Sequence, residues 1–336
     1  MKVYDPVSSK GHLPFNSKFC ESIRHRITKI YGNRDAFNYF AWSGVFCDST
    51  FFRNKLTLGS SFLRHLRSFA NIFDDEQRLI LSFENRFLFI LFLPITRNDR
   101  LYLVFHNNAP GFERSNKLIR WFVKRSLSGV NAIFLAKSQS AVYSDIQFTS
   151  SCVSGIPIET KNNYQTECAK EKYILWGAKR HADLDLLREL VSSERLLDIL
   201  GKHNLKFIVR GDSVEPNKSE LVSFIHHWLS DVEYRRLLNQ AQVVIIKYDD
   251  SYVAKASSFL VDVLEGPSQL LLYESDEFLE FYDLLGKGSY FKDHHDLCDK
   301  LEVLIGGDIK RHDHEGLVKL ENERLTNLEK FLDMCK

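Results

Sequence analysis

Along the first half of the chain, short runs rich in β-branched and aromatic residues alternate with stretches whose apolar positions recur at helical spacing. That alternation is the pattern of a parallel sheet with crossover helices. Strands are predicted at 2–5, 37–42, 78–83, 101–106, 132–136 and 152–156, and Phe19, Ile23, Ile27 and Ile30 fall on one face of a first helix. The apolar run 87–95 has about half the length needed to cross a bilayer, which predicts a buried helix. Pro157 and the polar segment 159–172 break the alternation, and a boundary is expected there, between a domain at 1–165 and another at 166–336.

The second half repeats the logic. Strands are predicted at 173–176, 205–209, 222–225, 243–248 and 269–273, with helices at 182–200, 231–240, 254–264 and 315–332, the last of which could pack back on the first domain. The expected fold class is therefore α/β, with two Rossmann-like domains. Each such sheet gathers its strand C-termini at one edge where ligands bind, so a cleft between the domains is the expected active site. Many unrelated activities share these sheets, and the chemistry must come from particular residues.

Composition adjusts this picture in three ways. A chain of 336 residues that is 44% hydrophobic has material for two cores. The opening MKVYDPVSSKGH carries charge and a proline where a signal peptide needs an apolar run, and no apolar stretch is long enough to span a bilayer; a soluble, cytoplasmic chain is expected. Six cysteines without a C-x-x-C pair fit reduced thiols rather than a disulfide frame or a zinc site. Charge separates the halves: residues 1–165 hold 22 Lys and Arg against 12 Asp and Glu, net +10, and residues 166–336 hold 23 against 32, net −9. Two bodies with different partners follow.

Four segments carry a family resemblance. They are YILWGAKR (173–180), LKFIVRG (205–211), WLSDVEYRRLLNQAQVVIIKY (228–248) and SSFLVDVLEGPSQLLL (257–272). Together they resemble the nucleotide-sugar domain of GT-B glycosyltransferases, particularly the large family 4 and its bacterial polysaccharide relatives. KVYDPVSSKGHLPFN (2–16) and LYLVFHNNAPGF (101–112) look like the first strand with its acceptor loop and a later strand ending in His-Asn. The resemblance implies a GT-B fold and transfer of a sugar, a hexose first among candidates, from a nucleotide donor to a glycan or lipid-linked acceptor in cell-surface polysaccharide synthesis. One departure stands out. Retaining family 4 enzymes carry two glutamates eight positions apart, the second where Asp262 stands, and Ala254 occupies the position of the first. The stereochemical course is left open, and so is a noncatalytic sugar- or nucleotide-binding role.

A sugar nucleotide asks different things of different residues. Its diphosphate needs backbone N–H groups at a helix N-terminus together with a cation. Ser257 and Ser258 open a helix after the strand ending at Tyr248, and these three are donor-binding candidates, with ordinary helix capping as the alternative for the serines. Gly177 turns the chain after a strand, and Arg180 behind it could fork two phosphate oxygens or simply be solvated. Lys255 is the second candidate cation. Asp262 lies among Phe259, Leu260, Val261, Val263 and Leu264, where an ionised acid calls for a ligand or a partner; as a pure acceptor it could hold both ribose hydroxyls, with Glu265 as competitor.

The acceptor hydroxyl must lose a proton, and His12, Glu84 and His106 are the candidate general bases, each placed by the strand pattern at a strand-end loop. No metal or cofactor is expected. Asp183-Leu184-Asp185 has a D-x-D form but begins an amphipathic helix, and the His and Asp pairs at 293–296 and 312–315 are adjacent residues that rarely converge on one ion. Lys117, Arg120 and Lys124, with Trp121 and Arg125 beside them, suit either a helix resting on anionic lipid at the inner membrane face or an ordinary charged surface helix. No nucleic-acid-binding motif accompanies the basic half.

Overall fold

The computed structural model describes residues 1–7, 13–32, 46–48, 58–70, 76–93, 98–106, 108–158, 173–177, 183–211, 219–227, 229–249, 257–275, 281, 285–306 and 314–334. The chain forms two compact units: Met1–Pro157 with Ala254–Ala256 and Leu320–Lys336, and Ile158–Val253 with Ser257–Lys319. The expected strand at 37–42 and boundary segment at 159–172 lie outside the described residues.

In the first unit, seven parallel strands are β1 (Lys2–Tyr4), β2 (Lys29–Tyr31), β3 (Phe46–Asp48), β4 (Arg78–Ile80), β5 (Leu101–Phe105), β6 (Asn131–Phe134) and β7 (Ser150–Val153). They run in the order β3-β2-β1-β4-β5-β6-β7. The helices are α1 (Leu13–Ser22), α2 (Leu58–Phe69), α3 (Ala109–Glu113), α4 (Lys117–Leu127) and α5 (Lys137–Val142). Every residue of β5 is buried, because a central parallel strand is covered on both faces and so reads as an unbroken apolar run.

The second sheet has the order β10-β9-β8-β11-β12-β13. Its parallel strands are β8 (Tyr173–Trp176), β9 (Lys206–Arg210), β10 (Val222–Ile225), β11 (Val243–Ile246), β12 (Gln269–Tyr273) and β13 (Tyr290–Phe291). They are joined through α6 (Leu184–Ser192), α7 (Glu194–His203), α8 (Asp231–Gln240) and α9 (Ser258–Glu265), and α10 (His294–Gly306) follows the last strand. The last helix, α11 (His314–Met334), sends Leu328, Phe331 and Leu332 into the core formed by Val3, Phe19, Ile23 and Tyr102. Arg26 binds Glu329 and Asp333 at its rim.

Three expected elements are corrected. The first helix ends at Ser22, Ile23 and Ile27 flank a 3-10 turn at Arg24–Arg26, and Ile30 belongs to β2; all three are buried in one core with Val3 and Phe19 without sharing a helical stripe. The helix expected at 182–200 is two, broken at Ser193, which closes α6 and caps α7 with its side chain on the Leu196 amide. The segment Asn85–Phe92 is a 3-10 helix, which buries Phe87, Leu88, Ile90 and Leu91 but leaves Phe89 and Phe92 outside. With three residues per turn, an all-apolar run cannot keep every side chain inward.

Candidate functional site

In the second sheet the winding reverses between β8 and β11, so the ligand crevice of such a sheet lies outside the carboxyl ends of those two strands. Gly177 follows β8 directly, and its N–H donates to the Ile245 carbonyl at 3.1 Å. A Cβ at this position would overlap the ring of Phe259 in the first turn of α9. Glycine is what allows the helix start to approach the strand end. Gly177→Ala is expected to displace Phe259 and lower stability by about 1–3 kcal/mol, the usual range for overpacking, which a denaturant melt would read.

Beyond β11 the chain passes Tyr248, whose phenol oxygen lies 2.7 Å from Ser257 Oγ. Ser257 Oγ in turn accepts from the Leu260 amide at 3.0 Å. Ser257 is thus the N-cap of α9, held by its neighbour, while Ser258 is exposed in the first turn. Arg180 and Lys255 lie outside the described residues.

Asp262, one turn into α9 and half-buried, accepts a hydrogen bond at Oδ2 from the Tyr234 phenol at 2.9 Å. Its competitor Glu265 closes the helix at the far end. The partner that an ionised acid among apolar neighbours requires is therefore supplied, at least on one oxygen, by the protein itself. Burial first, and then the charge of Asp262, push the Tyr234 phenol well above its ordinary pKa, so it stays protonated and donates.

Arg210, the last residue of β9, lays its guanidinium over the Tyr234 ring at 5.0 Å. Burial lowers its pKa, but a guanidinium starts so high that it remains charged. Among the described residues it has no ion pair, which leaves a half-buried cation at the sheet edge able to receive an anion. Sequence reasoning missed both Arg210 and Tyr234. A signal for the arginine was present, as a charge ending the apolar strand before Gly211 in LKFIVRG.

The D-x-D motif has a structural use: Asp183 accepts from the Leu186 amide at 2.9 Å and pairs with Lys247 at 3.1 Å, while Asp185 points to solvent. Asp293 likewise receives the His295 and Asp296 amides at the start of α10.

At the edge of the first sheet the winding reverses between β1 and β4. Asp5, just after β1 and buried, accepts from Asn16 Nδ2 at 2.8 Å and from Ser82 Oγ. His65 on α2 is fixed at both nitrogens: Nδ1 lies 2.8 Å from the Ser61 carbonyl, and Nε2 is 3.0 Å from the Glu84 amide. Since Nε2 accepts from an N–H, the proton sits on Nδ1, and burial holds the imidazole pKa below its ordinary value. A histidine so engaged is not available as a base. The Glu84 carboxylate receives Ser61 Oγ at 2.8 Å and pairs with Arg86 at 2.5 Å. His106 follows β5, mostly buried, with its ring edge-on to Phe15 at 4.4 Å and its carbonyl accepting from Gln139. His12 lies outside the described residues.

Two doubly wound parallel sheets in one chain, each with a polar cluster at its order reversal, define a two-domain protein of the doubly wound α/β class. No family model and no curated protein matches the sequence. Solved structures do. Anabaena Alr3699/HepE in complex with UDP-glucose aligns with a TM-score of 0.61 and 12% identity, over 98% of this chain and 100% of that one. The DNA-modifying β-glucosyltransferase, solved with and without uridine diphosphoglucose, aligns with a TM-score of 0.55 and 13% identity over 100% and 99%. A UDP-forming α,α-trehalose-phosphate synthase from Burkholderia vietnamiensis gives 0.61 and 11% over 100% and 99%. At such identities the likeness establishes the fold: the chain has the two Rossmann-like domains of the GT-B type.

Proposed function

We propose that this protein is a glycosyltransferase that takes a sugar, a hexose by preference, from a nucleotide donor held by its second unit. The observation that carries the reading is the convergence, at the order reversal of the second sheet, of a glycine turn, a serine-capped helix N-terminus, Asp262 and Arg210. A helix N-terminus and a cation suit a diphosphate, and a carboxylate suits a ribose hydroxyl. Gly177, Tyr248, Ser257, Ser258 and Asp262 are the donor-binding set, with Arg210 joined to Arg180 and Lys255 as its cations. The similar solved structures include ones bound to UDP-glucose or UDP, which favours a uridine nucleotide here.

The acceptor is a glycan or lipid-linked saccharide of cell-surface polysaccharide synthesis, served by the first unit with a base among His12, Glu84 and His106. The similarity to family 4 is the basis for that acceptor class, and Ala254 argues against its retaining pair of acids. The same missing acid favours a second reading, a noncatalytic nucleotide-sugar-binding protein. Thermal shift with UDP, GDP, CMP and ADP tests the donor site: UDP is expected to raise the melting temperature, by about 2.7 kcal/mol of added stability at a hundredfold excess over Kd. No shift with any of the four sinks the reading. Incubation with labelled sugar nucleotides separates the two readings, since only the enzyme releases the nucleoside diphosphate.

A further inference from the structure

Among the described residues, eleven large apolar side chains are more than a third exposed, and eight of them lie on three pieces of the first unit. Leu63 is on α2, Phe89 and Phe92 are on the 3-10 segment with Leu93 just after it, and the other four are on α4. These pieces pack side by side: Phe92 meets Phe122 at 4.9 Å between ring centroids, and Phe89 stacks on Phe62 at 5.9 Å. On α4, Leu118 is 73% and Trp121 61% exposed. Exposed apolar groups scattered singly need no explanation, but a concentration of this kind marks an interaction surface.

Its electrostatics select the partner. Residues 114–125 hold Arg114, Lys117, Arg120, Lys124 and Arg125 and no acid. Lys124 pairs with Asp145, whereas among the described residues Arg120 donates to the carbonyls of Glu113 and Ser115, contacts that leave its charge uncompensated. Cations interleaved with Trp, Leu and Phe match an interface whose outer layer is anionic and whose inner layer is hydrocarbon. A nucleic acid would pair the cations but leave Leu118, Ile119 and Phe92 in water. Among the described residues no helix is long and apolar enough to cross a membrane, so the contact is of the kind in which a helix lies along the surface.

We propose that α4 and the adjoining 3-10 segment form a docking surface for an anionic membrane, with Leu118, Trp121 and Phe92 entering the headgroup layer and Lys117 and Arg125 meeting lipid phosphates. Sequence alone pointed to the cations and Trp121 of α4; the second apolar element comes from the packing. The proposal extends the reading of a lipid-linked acceptor, but the binding does not depend on the nucleotide site.

The test is sedimentation of the full chain with vesicles of phosphatidylcholine alone or mixed with phosphatidylglycerol, at low and high salt. Binding to the anionic vesicles is expected to be about tenfold or more tighter and to weaken with salt, since each cation near such a surface contributes about fivefold. Leu118→Ser with Trp121→Ser, and separately Lys117→Glu with Arg125→Glu, should each lower it by about tenfold or more at unchanged melting temperature. These side chains are exposed, so both variants should fold. The proposal is overturned if the folded chain ignores anionic vesicles at low salt, if neither variant changes the binding, or if the chain prefers duplex DNA to the vesicles. Intact vesicle binding without any UDP-induced thermal shift would sustain this surface while removing the donor reading.

Discussion

At least one of His12→Ala, Glu84→Gln and His106→Ala is expected to lower kcat by about 100-fold or more, the scale of a lost general base, with nucleoside diphosphate Kd within a few-fold of wild type. The split between the two parameters is what identifies a base on the acceptor side, because the donor contacts proposed above involve other residues. Glu84→Gln is the cleanest of the three. It retains an oxygen for Ser61 Oγ and loses the ion pair with Arg86, both of whose side chains are partly exposed; such a pair contributes about 1 kcal/mol or less. His106→Ala removes a mostly buried ring from its edge contact with Phe15, so its melting temperature must be measured beside its turnover. The measurement needs an acceptor in hand. Three variants of near wild-type kcat would place the base on some other group.

Asp262→Ala should weaken nucleoside diphosphate binding about 10- to 100-fold, since a hydrogen bond to a charged group is worth about 1.5–3 kcal/mol. The structure adds a second consequence. Removing the carboxylate also strips the Tyr234 phenol of its acceptor, and an orphaned buried donor costs about 1–3 kcal/mol, or a few degrees of melting temperature for each kcal/mol in a domain of this size. Tyr234→Phe separates the two effects. It deletes the internal hydrogen bond and keeps the acid, so nucleotide affinity should stay within a few-fold. Calorimetric titration of both variants decides: a D262A protein that melts early yet binds normally per folded molecule would make Asp262 only the anchor of Tyr234.

Much of the fold was legible in the sequence because its signals are local. β8, β10, α8 and β12 begin and end where the apolar runs and caps place them; α8, for example, starts at a capping box in which Ser230 and Glu233 satisfy each other's amides. Strands buried on both faces need no alternation to be recognised. Where the signal was ambiguous the packing decided. Ile27 and Ile30 fit a helical stripe by spacing alone, and Ser193 is as compatible with a helix interior as with a cap until the chain on either side has a direction.

The site divides along the same line. Single residues were readable: a glycine after a strand, serines opening a helix and an acid among apolar neighbours each carry a chemical demand within a few positions of themselves. What the sequence determined is that Asp262 needed a ligand or a partner. That the partner includes Tyr234, 28 positions away, and that Arg210 covers the same ring, was decided only by the sheet order, which sets β8 between β9 and β11. Local propensity acts through backbone neighbours over a turn or two, whereas which strand ends share an edge is fixed by how two apolar faces bury each other.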